Sequence, residues 1–309
     1  MFSIVIPTYN RRDTLVRVLA ALNAQEEPPP FEVVLVNDGS SDGTDETIGR
    51  AIEHRSFRFP LRFETQANAG PGKARNRGVA LATGTYIVFI GDDTVPEPRF
   101  LAEHARVHRD AAHDPKIACL GYTGWPAEDP PTAFMDYIND YGLQFGYRLI
   151  EDGAIVPFNF FYTSNISLAR ETLGPEPFDT TFPAAAWEDI ELAYRLEREG
   201  LRIRYNAKAV TRHYHRMSVD SFARRQYTVG RSGAIFFEKH PDLGHMLGVY
   251  ELRDTPLASD GEVRRLRLLA KIGERVRPFA RNRVFERLMR QHYLRGLAAG
   301  LQERGARVQ

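Results

Sequence analysis

The sequence predicts an α/β protein built on a mixed, mainly parallel sheet flanked by helices, with a helical C-terminal extension. Three observations predict this class. Short apolar runs rich in β-branched residues alternate with helix-period segments through the first hundred residues. Each run ends in a cluster of polar and turn-forming residues. The 309 residues are 43% hydrophobic, enough to bury one large α/β domain or two smaller lobes.

Phe2 to Ile6 is the first strand. Leu15, Val18, Leu19 and Leu22 then recur at helical spacing until Pro28-Pro29-Pro30 ends the segment. Glu32 to Val36 is the second strand, and it runs into Asn37-Asp38-Gly39-Ser40-Ser41-Asp42, a loop of turn formers and helix caps. Leu61 to Thr65 reads as a third strand nearer the edge. A glycine-containing loop from Asn68 then opens a basic helix. Tyr86 to Ile90 is the fourth strand and ends at Gly91-Asp92-Asp93. Ligands of open α/β sheets bind outside the carboxyl ends of strands, where all these polar clusters fall, so one shared crevice is expected.

Beyond Pro98 the pattern loosens. Pro130-Pro131 and the aromatic stretch from Phe134 to Tyr162 suggest a second lobe with longer loops. Phe160 to Leu168 reads as a strand, and a helix opens at Trp187-Glu188-Asp189 and closes at Gly200. Two short strands, Arg202 to Tyr205 and Ala209 to Thr211, precede His213-Tyr214-His215. Residues 262–309 hold 13 Lys/Arg against 4 Glu on a helical pattern. The expected division is 1–97, 98–255 and 256–309, the last being the basic extension.

Lys+Arg of 41 against Asp+Glu of 40 gives a formal charge of +1, which offers no global attraction to nucleic acid or anionic membrane. The single cysteine, Cys119, excludes an internal disulfide and a cysteine-rich zinc site. No basic leader precedes the short apolar stretch at the N-terminus, and nowhere do 18 apolar residues run together, so the expected location is the cytoplasm.

Several residues carry possible chemistry. Asp92 and Asp93 follow an apolar strand, where carboxylates can hold a hard divalent cation whose shell phosphates complete; an exposed acidic turn is the competing reading. His213 alternates with His215 and is the preferred imidazole for a metal held by Asp93. Glu188 and Asp189 start a helix, either as complements to its dipole or as a general base for an acceptor hydroxyl. Asp38 suits hydrogen bonds from a base or ribose, or serves a turn. Lys73 and Arg75, behind Gly70 and Gly72 at a helix start, suit diphosphate oxygens. Neither the Gly-x-Gly-x-x-Gly fingerprint nor a P-loop occurs, which disfavours a nicotinamide enzyme and a P-loop nucleotidase.

In their joint order these motifs resemble family 2 glycosyltransferases of the GT-A, Rossmann-like fold. The resemblance rests on Ser3 to Asn10, Val34 to Asp42, Asn68-Ala69-Gly70 with Ala74-Arg75-Asn76, Phe89 to Asp93, and Trp187-Glu188-Asp189, and it spans about residues 3–215. It implies that Pro7, Thr8, Asn10 and Asp38 line a nucleotide pocket, that Asp93 and His213 hold Mg²⁺ or Mn²⁺, and that Asp189 is the base. It further implies an inverting, metal-dependent transfer of sugar from a nucleoside diphosphate to a glycan, lipid-linked or protein acceptor, as in polysaccharide biosynthesis. One departure is Gly91 where the family's first motif aspartate stands; it leaves Asp92 to a ribose contact or a place behind the metal. The processive members' membrane spans and Gln-x-x-Arg-Trp motif do not occur, so single-sugar addition is expected. The alternatives are a sugar nucleotidyltransferase and a catalytically silent nucleotide-sugar-binding protein. The basic C-terminal segment reads as a solvated helical face, a homodimer contact or an interfacial helix touching anionic lipid; its sparse aromatics argue against nucleic acid.

Overall fold

A computed structural model describes residues 1–184, 186–254 and 256–305. The last four residues expected in the basic extension, 306–309, lie outside the described residues. Contacts divide the chain into two compact units. The first contains Met1–Asp129, Phe145–Thr180 and Glu188–His215; the second contains Pro130–Gln144, Thr181–Trp187 and Arg216–Gln309.

The first unit is organised by a nine-stranded mixed sheet. Its strands are β1 (Phe2–Thr8), β2 (Phe31–Asn37), β3 (Leu61–Thr65), β4 (Tyr86–Ile90), β5 (Thr94–Pro96), β6 (Ile117–Gly124), β7 (Ile155–Val156), β8 (Asn165–Ala169) and β9 (Arg202–His213). The order is β3-β2-β1-β4-β8-β6-β9-β5, with β7 also on β9. The ladders β1–β2, β1–β4, β2–β3 and β6–β9 are parallel, and β8 inserts antiparallel between β4 and β6. As expected, β3 is at an edge.

Alternation along the strands supplies two cores. Ile4, Ile6, Val33, Leu35, Val88 and Ile90 face one side with Leu15, Val18 and Leu19 of α1 (Arg12–Asn23) and Ile48 of α2 (Thr44–Glu53). Phe100 and Leu101 of α4 (Phe100–Asp110) join them. Val5, Val34, Val36, Ile87 and Phe89 face the other, with Ala74 and Val79 of α3 (Pro71–Leu81). Runs that bury both faces read as continuous apolar stretches, which is why β1, β2 and β4 were legible.

The structure corrects two expectations. The strand expected from Phe160 to Leu168 begins only at Asn165, because Phe158–Phe160 form a 3-10 turn. The two strands expected over 202–211 are one, β9. Its register against β6 jumps from Gly121↔Asn206 to Tyr122↔Val210, so residues 207–209 bulge without ending the strand. The aromatic stretch also divides: α5 (Ala133–Asp140) belongs to the second unit, and Phe145 to Tyr162 belong to the first.

The second unit is helical beyond α5. It contains α7 (Val219–Lys239), α8 (Val249–Asp254), α9 (Asp260–Arg275) and α10 (Asn282–Glu303). Glycines permit a close α7–α10 crossing: a Cβ on Gly230 would lie 2.0 Å from the Tyr293 carbonyl, and one on Gly296 2.0 Å from that of Tyr227. The remaining helix of the first unit, α6 (Glu188–Arg198), opens at Glu188, and Gly200 follows it with φ +96°. No described helix is long and apolar enough to cross a membrane.

Candidate active site

All twelve site residues that the sequence singled out lie in the first unit. The ends of β1, β2 and β4 and the loops that follow them carry six: Pro7, Thr8, Asn10, Asp38, Asp92 and Asp93, because parallel strands bring their carboxyl ends to one edge of the sheet. Pro7 and Thr8 finish β1, paired with Val36 and Asn37. Asn10 follows with φ +52°, a left-handed conformation asparagine tolerates. Its backbone N–H donates to Ser40 Oγ at 2.9 Å, and its Oδ1 accepts from the Ser41 N–H at 2.7 Å, which ties the loops after β1 and β2 together.

Asp38 is buried and spends its carboxylate on the protein. Its Oδ1 accepts from Gln66 Nε2 at 2.7 Å and from the Ala69 N–H at 2.9 Å, and its Oδ2 accepts from the Gly70 N–H at 2.9 Å. These bonds shape the loop that enters α3, where Gly70 holds φ +91° and Pro71 begins the helix. Lys73 is exposed on the first turn. Arg75 turns inward instead: its guanidinium lies 2.8 Å from Glu188 Oε1 and 5.4 Å over the Phe178 ring. The pair joins α3 to the start of α6.

Asp189, next in sequence, accepts from the Ile190 N–H at 2.9 Å, with the Thr163 hydroxyl 3.5 Å away. Burial, then the charge of Glu188, pushes its carboxyl up to about 7, against the lowering pull of Arg75. A base whose pKa lies near working pH is well matched to taking a proton from a hydroxyl.

The acidic turn after β4 is built around glycine. A Cβ on Gly91 would stand 2.8 Å from Asp93 Oδ1, and the Gly91 N–H donates to Thr94 Oγ1 at 2.8 Å. Glycine in place of the first aspartate therefore lets the Asp93 carboxylate fold back over the turn. Asp92 accepts from the Tyr9 N–H at 3.3 Å, and its carboxyl is raised by burial despite nearby Arg11.

Strand pairing brings the histidines in. β5 runs antiparallel to β9 with Thr94 opposite His213, and the Tyr214 N–H donates to the Asp93 carbonyl at 2.7 Å. His213 Nε2 then lies 3.3 Å and His215 Nδ1 3.6 Å from the same oxygen, Asp93 Oδ2. The two imidazoles stack at 5.7 Å, and Trp125 stacks on His213 at 5.4 Å. The Arg11 guanidinium also forms an ion pair with Asp93 Oδ2. Arg11 bears no local mark in the sequence, which favours His213 over His215. Both histidines reach the carboxylate.

An aromatic wall links the two acidic centres. His213 packs on Phe145 at 5.9 Å and Phe145 on Tyr162 at 5.2 Å, and the Tyr162 hydroxyl, pushed up chiefly by burial, also feels the charge of Asp189.

The donor set suits a hard divalent ion completed by phosphate. One carboxylate and two imidazoles converge, yet among the described residues no group of three or more His, Cys, Asp or Glu is arranged to hold a metal unaided. Mg²⁺ is commonly held by one or two carboxylates plus substrate phosphates and water, so an incomplete protein shell fits.

Over residues 3–151 the sequence matches the model of the family described as Glycosyl transferase family 2. It is 31% identical over 222 residues to a validoxylamine A glucosyltransferase of Streptomyces hygroscopicus subsp. limoneus, covering 65% of this chain and 49% of the relative. The chain spans about half the length of the curated relatives it matches, 52% for the enzyme of that name from subsp. jinggangensis. Among solved structures, a mannosyltransferase from Pyrobaculum calidifontis in complex with GDP-Man and Mn²⁺ aligns at TM-score 0.61 and 20% identity, over 98% of this chain and 87% of the other. S. aureus TarS 1-349 in complex with UDP aligns at 0.54 and 18%, over 98% and 91%. At these identities the likeness concerns the fold, which is that of the GT-A glycosyltransferases.

Proposed function

We propose that this chain, which matches the glycosyl transferase family 2 model over residues 3–151, moves a sugar from a nucleoside diphosphate to an acceptor hydroxyl, with inversion and with Mg²⁺ or Mn²⁺. The convergence of Asp93, His213 and His215 at the ends of β4 and β9 carries the reading. Asp93 and His213 would hold the ion, with His215 beside them. When bound, such an ion offsets the negative charge that gathers on a departing diphosphate.

The protein's own part is binding and proton transfer. Residues 1–97 would form the donor half, with Pro7, Thr8, Asn10, Asp38 and Gly70 around the nucleotide. Asp92 would stand near the ribose, and Lys73 would reach diphosphate oxygens from the first turn of α3. Arg75, drawn to Glu188, would act by fixing the start of α6 rather than by touching the donor. Residues 98–255 would supply the acceptor half. There Asp189 takes the proton of the acceptor hydroxyl as its oxygen bonds to the anomeric carbon and the carbon–oxygen bond to the diphosphate breaks. A single displacement leaves that carbon inverted. The acceptor would be a hydroxyl of a glycan, a lipid-linked sugar or a protein.

Asp189→Asn tests the assignment. Donor affinity should stay within a few-fold of wild type while turnover falls roughly a hundredfold or more. Transfer at the wild-type rate would refute the base. The same assay separates the rivals: pyrophosphate as product would identify a nucleotidyltransferase, and donor binding with neither transfer nor hydrolysis would identify a silent binding protein.

A further inference from the structure

Helix α9 in the second unit is apolar on two sides. Val263, Leu266, Ala270 and Gly273 face inward and are buried. Leu268, Leu269, Ile272 and Val276 recur at helical spacing on the opposite side, and the 3-10 turn Arg277–Phe279 carries the stripe on to Phe279. Leu268 and Phe279 each leave 61% of their surface open, Leu269 41%, and Ile272 and Val276 42%. Single exposed apolar residues need no explanation, but five on one continuous stripe do.

Charge around the stripe is predominantly positive, and the acids Asp220 and Asp136 are engaged by its own Arg267, Lys271 and Arg277. Arg264, Arg265, Arg275, Arg281 and Arg283 are exposed beside or within it. Between residues 263 and 285 the only acidic residue is Glu274, and it is turned to the protein, accepting from the Val219 N–H at 2.9 Å. Arg267 and Lys271, on the border, are held by Asp220 at 2.7 and 2.6 Å. A second copy of this chain is a poor occupant, because an isologous contact would set these arginines against their own counterparts. A surface that is negative outside and apolar beneath complements both features.

We infer that the exposed face of α9 and its following turn docks onto an anionic lipid bilayer, with Leu268, Leu269, Ile272 and Phe279 entering the interface and the arginines meeting lipid phosphates. Interfacial helices combine burial of this kind with attraction to acidic headgroups. The inference is independent of the sugar-transfer reading.

Vesicle flotation of the full chain tests it, with phosphatidylcholine vesicles alone or mixed with phosphatidylglycerol. The protein should float with the mixed vesicles, stay down with the neutral ones, and be released by salt. Arg264→Gln, Arg265→Gln and Arg275→Gln together should lower the partition coefficient about a hundredfold, from roughly fivefold per cation near the surface. Leu268→Gln with Ile272→Gln should weaken binding even at low salt. Both sets change exposed side chains, and an unaltered circular dichroism melt will verify folding. Equal binding to neutral vesicles, binding that survives both sets, or no binding by a folded wild-type chain would each overturn the inference. So would sedimentation showing a dimer that the Leu268/Ile272 pair dissolves while vesicles bind neither form.

Discussion

Asp189 is held by its surroundings in a state that costs stability and suits the role of base proposed for it. Folding raises its pKa to about 7, so the stability this group contributes is full below the unfolded aspartate's value, near 4, and is lost as pH climbs through about 7. Asp189→Asn should therefore melt higher than wild type at pH 8, while losing activity. As a base it must be ionised, so kcat/KM should rise with pH along an acid limb set by this group. Glu188→Gln removes the neighbouring negative charge and should move that limb to lower pH, read from the same profiles. A second prediction concerns Arg11, whose guanidinium sits where a divalent ion would bind Asp93. Arg11→Gln should tighten Mn²⁺ binding to the nucleotide-free protein by roughly tenfold, about 1.4 kcal/mol of lost competition, in a spin-resonance titration. Asp93 was legible because it ends an apolar strand. Arg11 was not, since a basic residue after a turn has no local mark, and its partner lies 82 positions on.

Among the elements, the α7–α10 crossing makes the sharpest claim. Gly296→Ala places a methyl against the Tyr227 carbonyl, and although alanine is the better helix former by about 1 kcal/mol, overpacking should dominate. A net loss of about 1–3 kcal/mol is expected from denaturant unfolding, with Gly230→Ala alike. Neither glycine could be understood from sequence, where each looks like a flaw in a helix. The same limit governs the strands. β1, β2 and β4 are continuous Val/Ile/Phe runs and announce themselves, whereas β6 is broken by Gly121 and Gly124 and was passed over. β9 reads as two pieces because Asn206, Ala207 and Lys208 are poor strand formers. The bulge is nonetheless tied in: the Ala207 N–H donates to Asp152 and the Ala209 carbonyl accepts from Asn165.

For the molecule as a whole, donor recognition should appear as stability. A nucleoside diphosphate with Mn²⁺ at about a hundred times its dissociation constant adds about 2.7 kcal/mol, so a thermal-shift screen of nucleotide sugars should single out the donor base and sugar. The order of the sheet has another consequence. The segment matched to the family ends at residue 151, but β8, from 165–169, is the strand that lies between β4 and β6. A nascent chain that has emerged only as far as that boundary would carry two strands whose shared neighbour has not yet been synthesised, each with an open ladder edge. Expressed alone, residues 1–151 should aggregate instead of folding, and a soluble yield should return only when the fragment extends past His213.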